Sequence, residues 1–178
     1  MVEHDDSILI RQCLDGDRAK FGELVNKYTK PIYNLALRMV GDAENAADIA
    51  QTTFIKAYEN LRNFDLRLKF FSWLYRIAIN ESLTFLQKQK QTDPLSDEHV
   101  STDHSPDEIL HEFERNEIIQ HAIMKLTPEH RSVVILRHFM DLSYDQMSST
   151  LGITEAKVKS RLFSARRHLR TLLLKRGL

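Results

Sequence analysis

The stretch LSYDQMSSTLGITEAKVKSRLFSARRHLR, Leu142 to Arg170, contains two helical patterns joined at a glycine. Ser143 and Gln146 have the spacing of a capping box, which predicts a short helix over 144–150. Gly152 supplies the permissive backbone that a tight turn between crossed helices needs, and Thr154 is suited to cap the helix that follows. Apolar residues recur at helical spacing on both sides of the turn. The stretch therefore predicts a helix-turn-helix.

The second helix of this motif is strongly basic. Residues 154–178 hold eight Lys or Arg against one acid, Glu155, while Val158, Leu162, Ala165 and Leu169 form an inward stripe. One interpretation is a solvated surface helix whose cations complement the helix dipole. The other is a DNA-binding helix, because a major groove admits one α-helix and Lys and Arg neutralise phosphates. The second interpretation is favoured here.

Charge is distributed unevenly along the chain. The total over 178 residues is zero, but residues 1–90 carry +1, residues 91–118 carry −8 and residues 119–178 carry +7. Local potential steers a polyanion more than total charge does, so a neutral sum does not exclude a nucleic-acid partner. With 42% hydrophobic and 28% charged residues and only short apolar runs, membrane insertion is not expected.

The remainder of the chain also has helical periodicity, and no run alternates long enough to predict a sheet. We expect an all-α fold of two small helical domains, 1–90 and 107–178, joined by a flexible acidic linker at 91–106. Pro31 is expected to kink or split the helix around it, and Gly41 with Asp42 to end that helix and cap the next. Ser105–Glu108 and Thr127–Pro128 resemble further helix starts.

Two segments of the first half of the chain precede the helix-turn-helix, and the order of the three segments is informative. The two segments are DAENAADIAQTTFIKAYENL and FFSWLYRIAINESLTFLQKQ, and they are followed by LTPEHRSVVILRHFMDLSYDQMSSTLGITEAKVKSRLFSARRHLR. In this order they resemble regions 2 and 4 of bacterial sigma-70 family sigma factors. The two matches cover nearly the whole chain and resemble the small extracytoplasmic-function (ECF) group. The resemblance implies a region 2-like helical bundle at 1–90 and a region 4-like helix-turn-helix domain at 107–178.

The resemblance also implies partners: core RNA polymerase, contacted at the β′ clamp helices and the β flap, promoter DNA, and an anti-sigma factor in a stress or envelope response. The resemblance assigns core-polymerase binding to Asp48, Gln51, Thr52, Phe54, Ile55 and Glu59. Recognition of the −10 element, with capture of a flipped base, is carried to Arg62, Asn63, Phe64, Lys69, Arg76, Asn80 and Thr84. Most of the aromatic residues between 64 and 75 are expected in the core.

Binding of the −35 element is carried, by the same resemblance, to Lys157, Lys159, Ser160, Arg161, Ser164, Arg166, Arg167 and Arg170. This chain departs from the family at ITEAKVKSR, where Glu155 places an acid near the expected DNA surface and changes the preferred sequence. Thr52 and Thr53 stand where acidic residues are common. The linker is interpreted as a spacer that keeps the domains apart or, by resemblance, as a segment that threads polymerase channels.

No catalytic constellation, cofactor motif or metal-ligand spacing occurs in the sequence, and we expect no enzymatic activity, cofactor, metal or small-molecule substrate. A single Cys13 and an acidic N-terminus without the zones of an export signal indicate a cytoplasmic protein. Two alternatives remain at this point. One is a conventional helix-turn-helix regulator that binds duplex operators, and the other is a helical adaptor that binds proteins only.

Overall fold

The computed structural model of the chain describes residues 3–92 and 109–174, and the regular structure in those residues is helical. The first half contains α1 (Glu3–Leu14), α2 (Ala19–Val40), α3 (Ala43–Asn60) and α4 (Phe70–Thr92), with a 3₁₀ turn at Leu61–Asn63. The second half contains α5 (Ile109–Met124), α6 (Pro128–His138), α7 (Tyr144–Leu151) and α8 (Glu155–Leu174). The predicted all-α fold with two groups of helices is confirmed. Helix α4 includes residues 91 and 92 of the predicted linker, and the rest of that linker and the Ser105–Glu108 helix start lie outside the described residues.

Helix α2 forms the centre of the first half. Its apolar stripe is fully buried at Leu24, Ile32, Leu35 and Met39 and packs against α1, α3 and α4. Gly41 ends the helix at φ 81°, where its N–H donates to the Leu37 carbonyl at 2.8 Å. At the next residue, the Asp42 carboxylate accepts from the Asn45 N–H at 2.8 Å and caps α3. The sequence predicted both of these helix ends.

Pro31 does not split its helix, and that part of the prediction is wrong. Helix α2 continues from Ala19 to Val40 with Pro31 inside it. Proline in a helix interior costs about 3 kcal/mol because it removes one backbone donor and crowds the preceding turn. Tyr28 and Ile32, on either side, are both buried. Burial of the stripe on both sides of the proline outweighs this local penalty.

The helix-turn-helix begins and ends at the residues that the sequence indicated. The Gln146 N–H donates to Ser143 Oγ at 3.2 Å, and the Ser143 N–H donates to Gln146 Oε1 at 2.8 Å. Gly152 adopts φ 65° and closes α7, and Thr154 Oγ1 accepts from the Lys157 N–H at 3.3 Å to cap α8. Buried Met147, Val158 and Leu162 fill the corner between the two helices. This corner fixes how α8 is presented to solvent.

The two halves of the chain pack directly on one another, which the interpretation of the linker as a spacer did not anticipate. Helices α5 and α6 contact α2, while α6 and α7 contact α4, so one hydrophobic core continues across the interface. Arg131 of α6 is 5% exposed and donates to the carbonyls of Met39 in α2, Met124 and Leu126. These contacts hold the helix-turn-helix against the first four helices.

The left-handed backbone at Gly152 gives a stability prediction. Gly152→Ala should lower the free energy of unfolding by about 1 kcal/mol, because a Cβ disfavours positive φ. The added atom itself meets only the Arg76 guanidinium, at 3.7–4.0 Å, which is ordinary contact. Urea denaturation measures the change. Gly22→Ala is the matched control: Gly22 lies in α2 with nothing within 4 Å, so this change should stabilise by about 0.5–1 kcal/mol. Equal effects at the two glycines would contradict the explanation.

Candidate nucleic-acid and polymerase interfaces

Helix α8 buries one stripe and exposes its cations. Val158, Leu162 and Ala165 are buried against the preceding helices. Most of the side chains predicted to bind the −35 element are exposed: Lys157, Lys159, Ser160, Arg166, Arg167 and Arg170. Arg161 and Ser164 are partly buried at the edge of that surface. The structure therefore brings this predicted set together on one helix, and their contacts with DNA stay a prediction.

Several groups hold the cations of α8 in position. The Glu155 carboxylate lies 3.2 Å from the Lys159 ammonium, and that ammonium also lies 5.2 Å from the centre of the Tyr144 ring. The Arg166 guanidinium contacts His138 Nε2 at 3.2–3.3 Å. Burial, followed by the charges of Arg166 and Arg137, lowers the pKa of His138. His138 is therefore suited to accept from Arg166 as a neutral ring.

Phe163 is a surface residue of α8 that the sequence analysis missed. Its side chain is 70% exposed and lies one helical turn from Lys159, Ser160 and Arg167. The ring therefore stands among cations and a serine on the outer surface of α8, where it adds an apolar contact to a basic surface. The sequence did contain one indication that Phe163 is exposed: it lies outside the inward-facing stripe of Val158, Leu162 and Ala165.

Helix α3 presents the residues predicted to bind the polymerase. Asp48, Gln51, Ile55 and Glu59 are exposed, Thr52 is partly buried, and Phe54 is partly buried against the core. Ile55 is 50% exposed beside Tyr58, which is 41% exposed and which the sequence analysis did not single out. The Tyr58 ring rests edge-on against Phe21, 5.0 Å between centres. The result is an apolar patch with a polar border on the outer side of α3.

Thr53, one of the two departures from the family pattern, is fully buried. Its hydroxyl donates to the Ile49 carbonyl at 2.7 Å within α3. A carboxylate at this position would be buried without a cation, which is strongly unfavourable. The threonine suits the packing observed in this chain.

A cavity of about 300 Å³ opens between α3, the 3₁₀ turn and α4. Its lining includes the side chains of Asn60, Asn63, Trp73 and Asn80, and the Lys56–Glu81 ion pair at 2.6 Å borders it. Asn63 and Asn80 belong to the predicted −10 set, whereas Asn60 and Trp73 do not. Three amides beside one indole offer hydrogen bonds and a stacking surface to a planar heteroaromatic ring.

The remaining residues of the predicted −10 set occupy different environments. Arg62, Lys69 and Thr84 are exposed. Phe64 is only 8% exposed, its ring 5.0 Å from Trp73 and 5.7 Å from Phe70, so it supports the wall of the site from the core. Arg76 donates to the carbonyls of Ser149 and Thr150 in α7.

An ion pair between Asp65 and Arg67 orders the loop before α4. The Arg67 guanidinium binds both oxygens of the Asp65 carboxylate at 2.7–3.0 Å, and the Leu68 N–H donates to the Asp65 carbonyl at 2.9 Å. The hydrogen bonds from Arg67 lower the pKa of Asp65 to about 2. Leu68 consequently stands at the loop surface, 58% exposed.

In the described parts of the chain, no group of three His, Cys, Asp or Glu side chains is placed to hold a metal ion. Within the same residues, none of the helices has the length and apolar character needed to span a bilayer.

Comparison with known proteins gives consistent matches over both halves. Sigma-70 region 2 matches residues 24–92, and Sigma-70, region 4 matches residues 116–169. The ECF RNA polymerase sigma factor SigW of Bacillus subtilis is 34% identical over 173 residues, covering 90% of this chain and 92% of the relative. The RNA polymerase sigma-H factor of Pseudomonas aeruginosa is 34% identical over 178 residues, covering 93% and 92%.

The fold is similar to that of the sigma factor RpoE from Bartonella quintana, solved in complex with the anti-sigma factor NepR. The TM-score is 0.70 at 23% identity, over 86% of this chain and 96% of that chain.

The pairing of Asp65 with Arg67 gives a prediction that depends on pH. A depressed carboxyl pKa means that the ion pair favours the folded loop above the ordinary value of 3.8 and is lost as the pH falls through about 2. An NMR titration of the Asp65 carboxyl carbon should therefore give a midpoint near pH 2. In Arg67→Met the midpoint should return towards the ordinary value, and an unchanged midpoint in that variant would contradict the assigned cause.

Proposed function

This chain belongs to the ECF RNA polymerase sigma factors, and we propose that α3 binds core RNA polymerase while α4 and α8 bind the two promoter elements. As a member of this family it is a subunit that directs polymerase to promoters. The proposed functional units are residues 1–90, the linker 91–106 and residues 107–178. One observation supports the proposal: separate helices of one chain present an exposed apolar patch, a cavity lined by amides and an indole, and a basic outer surface.

The cavity beside α4 supports binding of an unstacked base from the −10 element. A base that leaves the duplex needs a stacking surface and groups that bond its Watson–Crick edge. Trp73 supplies the first, and Asn60, Asn63 and Asn80 supply the second. Arg62 and Lys69, exposed nearby along the chain, are suited to the phosphates of the same strand. In this proposal Phe64 acts through Trp73 and does not touch the base.

The outer face of α8 supports major-groove binding at the −35 element. Lys157, Ser160 and Phe163 lie towards its N-terminal half, where a recognition helix reaches base edges. The exposed Phe163 ring suits the methyl group of a thymine. Arg166, Arg167 and Arg170 follow towards the C-terminus and suit the phosphate backbone. The Glu155–Lys159 pair leaves Lys159 only partly available to DNA.

The family supports three further parts of the proposal. The proposed contacts on the polymerase are the β′ clamp helices and the β flap. In this proposal the protein has no catalytic activity of its own, because the polymerase performs the chemistry. The proposed location is the cytoplasm. RpoE of Bartonella quintana is bound by an anti-sigma factor, and we extend that type of partner to this chain. The inducing stimulus is proposed to be a stress, including stress at the cell envelope.

Run-off transcription with purified core polymerase tests the function directly. Core plus this protein should initiate at a small set of genomic promoters, and sequencing of transcript 5′ ends after overexpression identifies both promoter elements. A conventional regulator would instead shift duplex operators without polymerase, and an adaptor would do neither. Absence of core binding and of initiation on all genomic fragments would refute the sigma-factor proposal.

The polymerase-binding patch on α3 can be tested with matched isoleucines. Ile55→Asp should weaken binding to core polymerase by about tenfold or more, since a charge would enter an apolar contact. Ile8→Asp is the control, because Ile8 is 48% exposed and Ile55 is 50% exposed, but Ile8 lies on α1. Fluorescence anisotropy with labelled protein gives both affinities. Equal losses at the two positions would show that α3 is not the specific contact.

The role of Phe163 is tested by truncation. Phe163→Ala should weaken binding to the mapped −35 duplex by roughly 1–2 kcal/mol through loss of apolar burial. The slope of affinity against salt should stay the same, because no phosphate contact is removed. Leu174→Ala, in a side chain 64% exposed at the end of the same helix, should have little effect. A changed salt slope without loss of affinity would contradict the assignment.

A further inference from the structure

Two residues outside the predicted −35 set lie against Lys159 on the basic surface of α8. They are Glu155, the first residue of α8, and Tyr144, the first residue of α7. We propose that Glu155 and Lys159 together read one G·C base pair of the −35 element, and that Tyr144 is the residue that positions Lys159 for this contact. The inference rests on the proposed function, because it uses α8 as the helix that enters the major groove.

Two contacts hold the ammonium of Lys159. Its Nζ lies 3.2 Å from Oε2 of Glu155 and 5.2 Å from the centre of the Tyr144 ring. Glu155 precedes Lys159 by one helical turn, which is the favourable order for an ion pair along a helix. A cation within about 6 Å of a ring centre is attracted by the ring face, which adds a second restraint. The ammonium is therefore held from α8 and from α7 at once.

The Tyr144 ring is itself held in place. Its side chain is partly buried against the hydrophobic core, and the capping box of Ser143 and Gln146 fixes the turn in which it lies. The Arg137 guanidinium lies 5.7 Å from the centre of the same ring and donates to the Leu142 carbonyl at 2.8 Å. Contacts with the core, with α6 and with the chain before α7 therefore fix the ring that lies beside the ammonium.

Both charged groups remain available to DNA. The Lys159 side chain is 56% exposed and the Glu155 side chain is 47% exposed. An ammonium has three donors and a carboxylate has two acceptor oxygens, so each group keeps hydrogen-bonding capacity after the ion pair has formed. The N-terminal residues of a recognition helix are those that contact base edges. The pair therefore presents a donor and an acceptor side by side at the end of α8 that is suited to reading bases.

This pair matches the edge of a G·C base pair in the major groove. Guanine presents two acceptors there, O6 and N7, and cytosine presents its N4 amine as a donor. Guanine O6 and cytosine N4 are hydrogen-bonded to one another at about 2.9 Å, close to the 3.2 Å between the Lys159 and Glu155 atoms. The ammonium can therefore donate to O6 and N7 while the carboxylate accepts from N4.

The other base pairs fit the same two groups less well. A T·A pair offers O4 to the ammonium and the adenine amine to the carboxylate, but a thymine methyl group replaces the second acceptor. An A·T or C·G pair in the same orientation places an amine against the ammonium and an acceptor against the carboxylate. Such groups would lose their hydrogen bonds to water without gaining new ones. The expected order is G·C first, T·A second, and A·T and C·G last.

The same contacts keep Lys159 away from the phosphates. An unrestrained lysine is a flexible point charge that neutralises a nearby phosphate whatever the sequence. Glu155 repels a phosphate and Tyr144 holds the ammonium beside α7, so loss of either residue should release Lys159 to the DNA backbone. Such a release alters the salt dependence of binding, whereas a role in folding alone would not.

Selection of duplexes from a random library by the purified full chain tests the inference and needs no polymerase. Wild type should enrich one position at which G·C exceeds A·T and C·G by about tenfold, within the discrimination of a bidentate base contact. Glu155→Ala and Tyr144→Leu should each reduce that ratio to about twofold at this position alone. Anisotropy titrations of both variants should give a slope of log affinity against log salt that is steeper by about one, for one added phosphate contact.

Three features of the design separate positioning from folding. Tyr144→Phe keeps the ring and should keep both the wild-type preference and the wild-type salt slope. Asp145→Asn also removes an exposed acid from the first turn of a helix, α7, and should change neither. Glu155→Ala replaces an exposed residue with a strong helix former, so this variant decides the test if circular dichroism shows that Tyr144→Leu has lost helix.

The inference would be overturned by a G·C preference that survives Glu155→Ala, by a loss spread over all positions, or by an unchanged salt slope. Equal losses in Tyr144→Phe and Tyr144→Leu, or selection of no duplex by the wild type, would also overturn it. Failure of the sigma-factor proposal would appear separately, as absence of run-off transcription, because the selection is made without polymerase.

Discussion

Arg131 is the most deeply buried of the arginines that make polar contacts between the two halves of this protein. Arg131 is 5% exposed, and it donates to the carbonyls of Met39, Met124 and Leu126, which belong to the ends of α2 and α5 and the turn that follows α5. Burial lowers the pKa of Arg131 to about 10, because removal from water disfavours the charged form. The negative ends of two helix dipoles and three hydrogen bonds offset that burial. These bonds tie α6 to the ends of α2 and α5, while Arg76 makes the separate contact between α4 and α7.

In the proposed function, three kinds of surface serve three kinds of recognition. Helix α3 offers exposed Ile55 and Tyr58 within a polar border, which suits a reversible protein contact. The cavity beside α4 combines amides with Trp73, which suits hydrogen bonding and stacking with a planar ring. Helix α8 offers cations around Phe163, which suits a groove lined with phosphates. Each surface faces solvent because the opposite side of its helix packs in the core.

Sequence alone predicted the local structure well and the long-range polar contacts not at all. Capping boxes, Gly41 and Gly152 have residue requirements, so the ends of α2, α7 and α8 could be predicted. The prediction that Pro31 would split its helix was wrong because the sequence shows the local cost of a proline in a helix but not the burial that outweighs this cost. The cavity at Asn60 and Trp73 could not be predicted, since its lining comes from three elements. Contacts of Arg76 and Arg131 leave no pattern, because every residue has a carbonyl and any carbonyl can accept.

The neutral acceptors of the interface also determine how the protein responds to ionic strength. Bonds from Arg76 and Arg131 end on carbonyls, and Arg38 stacks on an aromatic ring, so dissolved ions compete weakly for these contacts. Binding of DNA releases counterions from the phosphates and weakens steeply as salt rises. Concentrated salt is therefore expected to weaken the proposed DNA contacts of α8 while it leaves the packing of the two halves in place. The contacts that hold the two halves together are thus expected to persist at ionic strengths at which the proposed contacts with DNA are weak.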